Sequence, residues 1–368
     1  LGGTVLKTKD RDELPNESGS RAIAIEMLTS GTTGKPKRVP LTRAAFDASF
    51  AAVAKYEKSR ELTPQVKLRD NTTLIINPVT HIGGIYGVIG ALMAGRRICL
   101  VERFSVENWA NAVVRHRPRV APGVPAALRM ILEANLPADT FSSLSAIISG
   151  TAPLDPAIVD EFLTRYDLPI LGNYGATEFA GAIAGWSLKD FRLHWNEKRG
   201  AAGKLHHDVT ARIVDAESGE PVAPGVEGLL ELKAPQLGDA DSWRRTTDRA
   251  VLDADRFLFI KGRADNAIVR GGFKIHPDDV VRVLEQHPAI REAAVVGIPD
   301  PRLGEVPVAV IILADGAALP DETELKTFVK DKLLPYQTPV QFKAVDDLPR
   351  TASMKPAVVQ IRKLFETS

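Results

Sequence analysis

Apolar residues fall along this chain in two rhythms, and the change from one to the other divides it. Residues 23–28 form a short apolar run, followed by a Gly/Thr/Lys loop over 29–37 and an alanine-rich stretch over 42–58 with helical spacing. The order then repeats as a strand over 73–77, a glycine-rich loop over 81–87, a helix to 94 and a strand over 97–101. Further strands are predicted over 146–148 and 169–172, with helices over Val106–His116, Pro125–Glu133 and Pro156–Tyr166. Strands alternating with helices predict an α/β fold whose large N-terminal part is a helix-covered, mainly parallel sheet, with ligands at the strand ends.

From about residue 198 the segments become short and β-like, such as 210–215 and 228–233, between Gly, Pro and Asp turns. They predict a small β subdomain over about 198–262. After Gly262 the pattern shifts again to strand 267–269, helix 277–286, strands 293–298 and 306–313, helix 322–332 and a final loop and helix over 349–364. The division expected is therefore 1–262, a boundary over 263–266, and a smaller α+β part over 267–368.

Composition removes several classes of function. The 368 residues suit two or three domains. Lys and Arg total 47 against 46 Asp and Glu, a net charge of +1 that provides no broad field for nucleic acid or anionic lipid. A single cysteine, Cys99, excludes an internal disulfide and a Cys-based zinc cluster and suits a reducing cytoplasm. The most apolar stretch, 82–95, falls short of the roughly 20 residues that span a bilayer, and residues 1–20 lack the apolar centre of a signal peptide. Neither a membrane span nor a nucleic-acid partner is expected.

The sharpest local signal is Thr29-Ser30-Gly31-Thr32-Thr33-Gly34-Lys35-Pro36-Lys37. Its glycines allow close backbone approach, its hydroxyls and N–H groups suit phosphate oxygens, and its lysines add charge, so it reads as a polyphosphate cradle. By composition alone, a solvated turn between a strand and a helix fits equally well. A Walker loop is excluded, because only two residues separate Gly31 from Gly34 and no Ser or Thr follows Lys35. Downstream come Gly150-Thr151-Ala152-Pro153, Asn173-Tyr174-Gly175-Ala176-Thr177-Glu178, Thr246-Thr247-Asp248, Gly262-Arg263-Ala264-Asp265, Gly271-Gly272-Phe273-Lys274-Ile275 and Pro349-Arg350-Thr351-Ala352-Ser353-Met354-Lys355. In this order the motifs resemble those of adenylate-forming enzymes, the superfamily of acyl- and aryl-CoA synthetases, amino-acid-activating modules and luciferases. The resemblance runs from about Ile23 to Leu364.

That resemblance implies roles for each motif. Thr29 to Lys37, Gly150, Thr151, Ala152, Asn173, Tyr174 and Gly175 correspond to residues that hold ATP or AMP, with Asp248 and Arg263 at the ribose. Tyr174 has an aromatic face for adenine, Thr177 a hydroxyl for the α-phosphate and Glu178 a hard oxygen for Mg²⁺. Lys355 corresponds to the ammonium that answers the negative charge gathering on the transferring phosphoryl group. Asp265 falls at the family's hinge, and Gly271, Gly272 and Phe273 fall beside its tunnel for the coenzyme A thiol arm. His81 corresponds to a residue at the mouth of the acyl pocket, with Gly83, Gly84, Gly150 and Ala176 leaving room there. No Lys or Arg in these segments answers a second carboxylate, so an aromatic, alicyclic or medium-chain acid is expected.

Two patterns imitate other chemistry. Phe46-Asp47-Ala48-Ser49 imitates an amino-acid activator but lies too soon after the phosphate loop, inside a helix. His206-His207-Asp208, with His194, fits no zinc spacing and reads as surface. The chain departs from the family at Arg38, at Arg43 and at Thr246, and only 28 residues precede Thr29, so an N-terminal part is expected to be either naturally short or absent from this chain. The function implied is ATP-dependent carboxylic acid:CoA ligation through an acyl adenylate, with a small acid, ATP, Mg²⁺ and coenzyme A as partners. A homodimer is compatible with it. A carrier-protein phosphopantetheine as acceptor, or a degenerate nucleotide-binding protein, are the alternatives.

Overall fold

The structure is a computed structural model that describes residues 23–29, 37–56, 68–238, 242–351 and 354–366. The chain opens on an antiparallel hairpin of β1 (Ile23–Thr29) and β2 (Lys37–Thr42), whose last pair joins Thr29 to Lys37. The phosphate loop from Ser30 to Pro36 lies outside the described residues, but its two ends are clamped together by this ladder. A strand that was not expected thus lies between the loop and the helix, and α1 follows at Arg43–Tyr56, within the 42–58 expected. Next come β3 (Thr72–Ile75), α2 (Ile82–Met93) and β4 (Arg97–Leu100), the two strands parallel. Most of the expected loop over 81–87 is the start of α2. His81 caps it by accepting the Gly83 N–H at Nδ1, 3.2 Å, and a Cβ on Gly84 would lie 2.1 Å from the Pro78 carbonyl.

The periodic segments fold as their pattern indicates. α3 (Val106–His116) starts where Ser105 Oγ accepts the Asn108 N–H at 3.1 Å, with Glu107 in its first turn and Arg115 and His116 in its last. Then follow β5 (Val120–Pro122), α4 (Pro125–Glu133), β6 (Ala146–Ser149), α5 (Pro156–Tyr166), β7 (Ile170–Ala176), β8 (Gly181–Gly185), α6 (Leu188–His194) and β9 (Gly203–Leu205). Fully buried Trp109, Ile131, Ile147, Phe162 and Ile170 pack α3, α4 and α5 on one face of the sheet. Four more strands, β10 (Thr210–Val214), β11 (Glu227–Lys233), β12 (Arg244–Leu252) and β13 (Phe257–Arg263), complete it.

These strands make one nine-stranded sheet in the order β10-β11-β12-β13-β9-β8-β7-β6-β5. The α/β expectation holds, but within this sheet only β5, β6 and β7 are parallel, and β7 to β10 are antiparallel. The β subdomain is thus an extension of the main sheet.

After a 3₁₀ turn at Ala264–Asn266 a second sheet begins, forming the small C-terminal lobe. Its elements are β14 (Ile268–Arg270), β15 (Phe273–Ile275), α7 (Pro277–Leu284), β16 (Ile290–Asp300), β17 (Gly304–Leu313), α8 (Glu322–Lys330), β18 (Phe342–Ala344) and α9 (Val358–Glu366). β16 and β17 are covered on both faces, by α7 and α8 against Val295, Ala309 and Ile311, and by Ile361 and Phe365 of α9 against Val296, Val308 and Val310. This explains their nearly unbroken apolar sequence. Among the described residues no helix is long and apolar enough to cross a membrane.

Glu285, just past α7, is half-buried where the small lobe meets α4 of the large one. Burial pushes its carboxyl up to about 7, against the pull of Arg129 and of the Ala293 N–H, with Glu292 and Asp155 adding to the rise. A carboxyl raised from 4.5 to about 7 favours the folded state while protonated, so its contribution is intact below pH 4.5 and lost as pH rises through 7. We expect Glu285→Gln to remove on the order of 1–3 kcal/mol of the pH dependence of stability, measured by urea unfolding on either side of this window.

Candidate nucleotide and acid site

Strands β7, β12 and β13 bring three distant residues together. The Tyr174 hydroxyl donates to Asp248 Oδ2, although the two residues lie 74 positions apart. Asp248 sits directly opposite Arg263 on the β12–β13 ladder. Thr246 secures this arrangement, because its Oγ1 accepts the Asp248 N–H at 3.0 Å and donates to the Leu230 carbonyl at 3.0 Å. The departure at Thr246 therefore has a structural role. Arg263 turns its fork on Asp265, Nε to Oδ1 at 2.8 Å and Nη2 to Oδ2 at 2.6 Å.

Electrostatics follow from this crowding. Burial raises the Asp248 carboxyl, opposed by the Tyr174 hydrogen bond and the Arg263 charge, while burial and Asp248 together raise the Tyr174 phenol. Asp265 is pushed up by burial, yet Arg263 and the Thr247 hydroxyl hold it below the usual carboxylate range. Lys355 comes from the other lobe and feels the same cluster. Its ammonium is lowered by burial and by the Arg263 charge and raised by Asp248, although part of the side chain still meets solvent. His81 is lowered by burial and by Lys355. A neutral His81 accepting at Nδ1 carries its proton on Nε2, leaving that N–H free to donate.

The loop that carries Lys355 is fixed at its base. The Arg350 guanidinium bonds Glu292 at 2.7 Å and the Met354 carbonyl at 3.3 Å, and Thr351 and Lys355 exchange two hydrogen bonds, Thr351 N–H to the Lys355 carbonyl at 2.8 Å and Lys355 N–H to Thr351 Oγ1 at 3.2 Å. Thr177 and Glu178 form a 3₁₀ turn directly after β7, with Glu178 exposed. Gly150 follows β6, and a Cβ there would lie 2.2 Å from Asn173 Oδ1, so the two motifs are in contact. Ala152 follows in the same turn, and Gly175 and Ala176 end β7. Gly83 opens α2, where a Cβ would meet Asn77 Nδ2 at 2.9 Å.

Other expected residues stand apart from this cluster. Gly271 and Gly272 form the turn of the β14–β15 hairpin, both at positive φ, 56° and 87°, which a two-residue hairpin turn requires. Phe273 beside them is exposed and stacks on Tyr336, ring centroids 4.7 Å apart. Asp47 lies near Arg43, at 3.9 Å, and Phe46 is buried against the hairpin, so the imitation of an amino-acid site is a helix surface and its core. Arg38 pairs with Glu26 at 2.6 Å. The sequence reading did not single out Ser149, whose buried hydroxyl has no partner among the described residues; its place beside Gly150 was the available signal.

Thr151 tests whether these residues suit a ligand. It is β-branched, holds φ at 74°, and buries an Oγ1 with no partner among the described residues. Strain and an orphaned hydroxyl together mark a position shaped for something other than stability, and a nucleotide polar group would answer both. Among the described residues no cluster of three His, Cys, Asp or Glu forms a metal cage. Glu178 alone fits a cation of the Mg²⁺ kind, which keeps waters and binds through one carboxylate and substrate phosphates.

A two-lobed α/β protein with a lysine of one lobe facing a Tyr-Asp-Arg cluster of the other is thus the class defined by fold and site. Residues 3–239 match the model of the AMP-binding enzyme family and residues 282–355 that of the AMP-binding enzyme C-terminal domain. The chain belongs to the AMP-binding enzyme family. It is 29% identical to 4-coumarate–CoA ligase-like 6 of Arabidopsis thaliana over 94% of its own length, spanning 63% of that protein. It is 30% identical to a fatty acid–[acyl-carrier-protein] ligase of Streptomyces coeruleorubidus, over 97% of this chain and 70% of the relative. Among solved structures, o-succinylbenzoate coenzyme A synthetase of Bacillus subtilis with ATP and magnesium ion superposes with a TM-score of 0.74 at 30% identity, over 94% of this chain and 70% of that one.

Thr151→Gly is expected to relieve the backbone strain and stabilise the protein by about 1 kcal/mol while weakening AMP about tenfold. Thermal unfolding and calorimetric titration with AMP read the two effects separately.

Proposed function

We propose that this protein is an ATP-dependent carboxylic acid:CoA ligase working through an acyl adenylate. A carboxylate oxygen of the acid attacks the α-phosphorus of ATP and pyrophosphate leaves; the thiol of coenzyme A then attacks the acyl carbon, loses its proton and displaces AMP. Asp248 accepts the ribose hydroxyls, with Arg263 beside it, and Tyr174 offers its ring to adenine. The loop from Thr29 to Lys37 cradles the phosphates, Thr177 donates to the α-phosphate, and Glu178 holds Mg²⁺, which neutralises phosphate charge when bound. Lys355 answers the charge that develops on the α-phosphoryl group.

One arrangement supports this reading: Tyr174, Asp248 and Arg263 converge on one point of the large lobe, and the charges of Asp248 and Arg263 act on the Lys355 ammonium of the other lobe. Such a placement serves adenylate formation, in which two anions must be brought together. The acyl pocket lies by His81, Gly83, Gly84, Gly150 and Ala176. Its neutral His81, and the absence of Lys and Arg from the sequence segments that carry these residues, favour an apolar aromatic, alicyclic or medium-chain acid. Thiol capture needs a different arrangement, in which the lobe turns about 263–266 at Asp265 and brings Gly271, Gly272 and Phe273 to the acyl carbon. The carrier-protein ligase among the relatives supports a second acceptor, the phosphopantetheine of a carrier protein, which offers the same thiol.

Pyrophosphate exchange with a panel of acids, followed by thioester formation with coenzyme A or a carrier protein, tests the reading; no exchange with any acid overturns it. Lys355→Ala is expected to cut exchange about 100-fold or more while thioester formation from a supplied acyl adenylate stays within about threefold. Asp265→Pro is expected to impair one half-reaction at least about tenfold more than the other, and an equal loss in both removes Asp265 from the hinge.

A further inference from the structure

The lobes also meet away from the cluster around Asp248. Here α4 and the start of α5 face β16 and the turn after β17 across a cavity of about 590 Å³, lined by arginines 129, 165 and 291 and by Glu133, Asp155, Glu161 and Asp315 among others. Each guanidinium in it is already engaged. Arg129 donates to the Arg291 carbonyl. Arg291 reaches Glu133 at 3.3 Å and Asp315 at 3.4 Å. Arg165 bonds Glu161 and, at 2.8 Å, the Leu132 carbonyl. With each guanidinium engaged by protein groups among the described residues, the cavity reads as a polar joint.

Two of these contacts cross between the lobes in opposite senses. Arg129 of the large lobe donates to the small one, and Arg291 of the small lobe pairs with Glu133 of the large one. The residue after Arg291 is Glu292, whose carboxylate receives Arg350 at the base of the Lys355 loop. Successive residues of β16 therefore touch the large lobe and hold the lysine loop. We propose that Arg129, Glu133 and Arg291 form a latch that holds the small lobe in the arrangement where Lys355 faces the large lobe, and that this latch parts when the lobe turns for the thiol step. The inference rests on the ligase reading for its consequence and on the contacts for its existence.

The three are positioning residues, since none reaches the Asp248 cluster. Ion pairs in partial contact with water are weak, which suits a joint that must part and reform in every turnover. A cavity open to water beside them keeps the local dielectric high and their attraction small.

Half-reactions and lobe geometry are measured on the full chain, with Cys99→Ala and nitroxide labels placed through Leu193→Cys and Leu319→Cys, both exposed, one on each lobe. Glu133→Gln, Arg129→Ala and Arg291→Ala are each expected to lower pyrophosphate exchange about three- to tenfold, leave thioester formation from a supplied adenylate unchanged or faster, and add a second inter-label distance. Glu133→Gln with Arg291→Ala falls no further than the worse single change, and Arg291→Lys restores most of the exchange. Equal loss in both half-reactions, or a distance distribution identical to that of the parent, overturns the latch. Should the parent show no exchange with any acid, the ligase reading falls, and the label distances still decide whether the contacts hold the lobes.

Discussion

A carboxylate taken out of water must be met by fixed donors, and in this protein Asp248 imposes that requirement. Burial drives its carboxyl upward, and the Tyr174 hydroxyl and Arg263 guanidinium oppose the rise. Leaving such a group unanswered costs far more than one hydrogen bond returns, so β7, β12 and β13 must be held in a register that brings Tyr174, Asp248 and Arg263 to one point. The demand reaches further along the chain. Arg263 gives its fork to Asp265, the first acidic residue beyond the nine-stranded sheet, so the crossing to the small lobe is clamped to the same cluster. The Tyr174-Asp248-Arg263 cluster and the interlobe crossing form one electrostatic unit.

The two kinds of contact in the molecule differ in chemistry. Inside the small lobe, β16 and β17 bury aliphatic residues on both faces. Between lobes the contacts identified are polar: Arg249 with Asp279 at 3.1 Å, Arg282 with the Lys261 carbonyl at 3.3 Å, and the Arg291 pairing. Apolar area exposed to water costs free energy in proportion to its size, whereas a wet ion pair exchanges its partner for water almost evenly. Polar joints let a lobe move without exposing its core.

Periodicity made much of this fold legible, because α3, α4 and α5 carry their apolar stripes locally and their starts are marked by Ser105, by Pro125 and by Asp155 with Pro156. It failed where distant contacts decide. The segment Lys37–Thr42 holds two cations and a proline, and only pairing with Ile23–Thr29 makes it a strand. Glycines at 83, 84 and 87 suggest a loop, but the His81 cap and the crowding Pro78 carbonyl override their poor helix propensity. Motif order located Tyr174, Asp248, Arg263 and Lys355 without showing that Tyr174 bonds Asp248. The partnership of Arg129 with residue 291 spans 162 positions and left no local trace.

Backbone strain points to the large-lobe edge of the site from an independent direction. Seven non-glycine residues among those described hold positive φ. Arg117, Asp167 and Ala180 do so as the last residues of helical turns, where a left-handed residue completes the carbonyl pairing. Asn135 follows α4, and Arg256 sits in the tight turn before β13. Met354 does the same in its own turn, where its N–H donates to the Thr351 carbonyl at 2.9 Å and the Thr351 N–H donates to the Lys355 carbonyl at 2.8 Å. Only Thr151 among these seven neither ends a helix nor completes such a turn, and it adjoins Gly150 on the large lobe. Selection for stability alone would remove the strain at Thr151, since glycine relieves it; its persistence there, beside a buried hydroxyl with no partner among the described residues, supports a site shaped by what it binds.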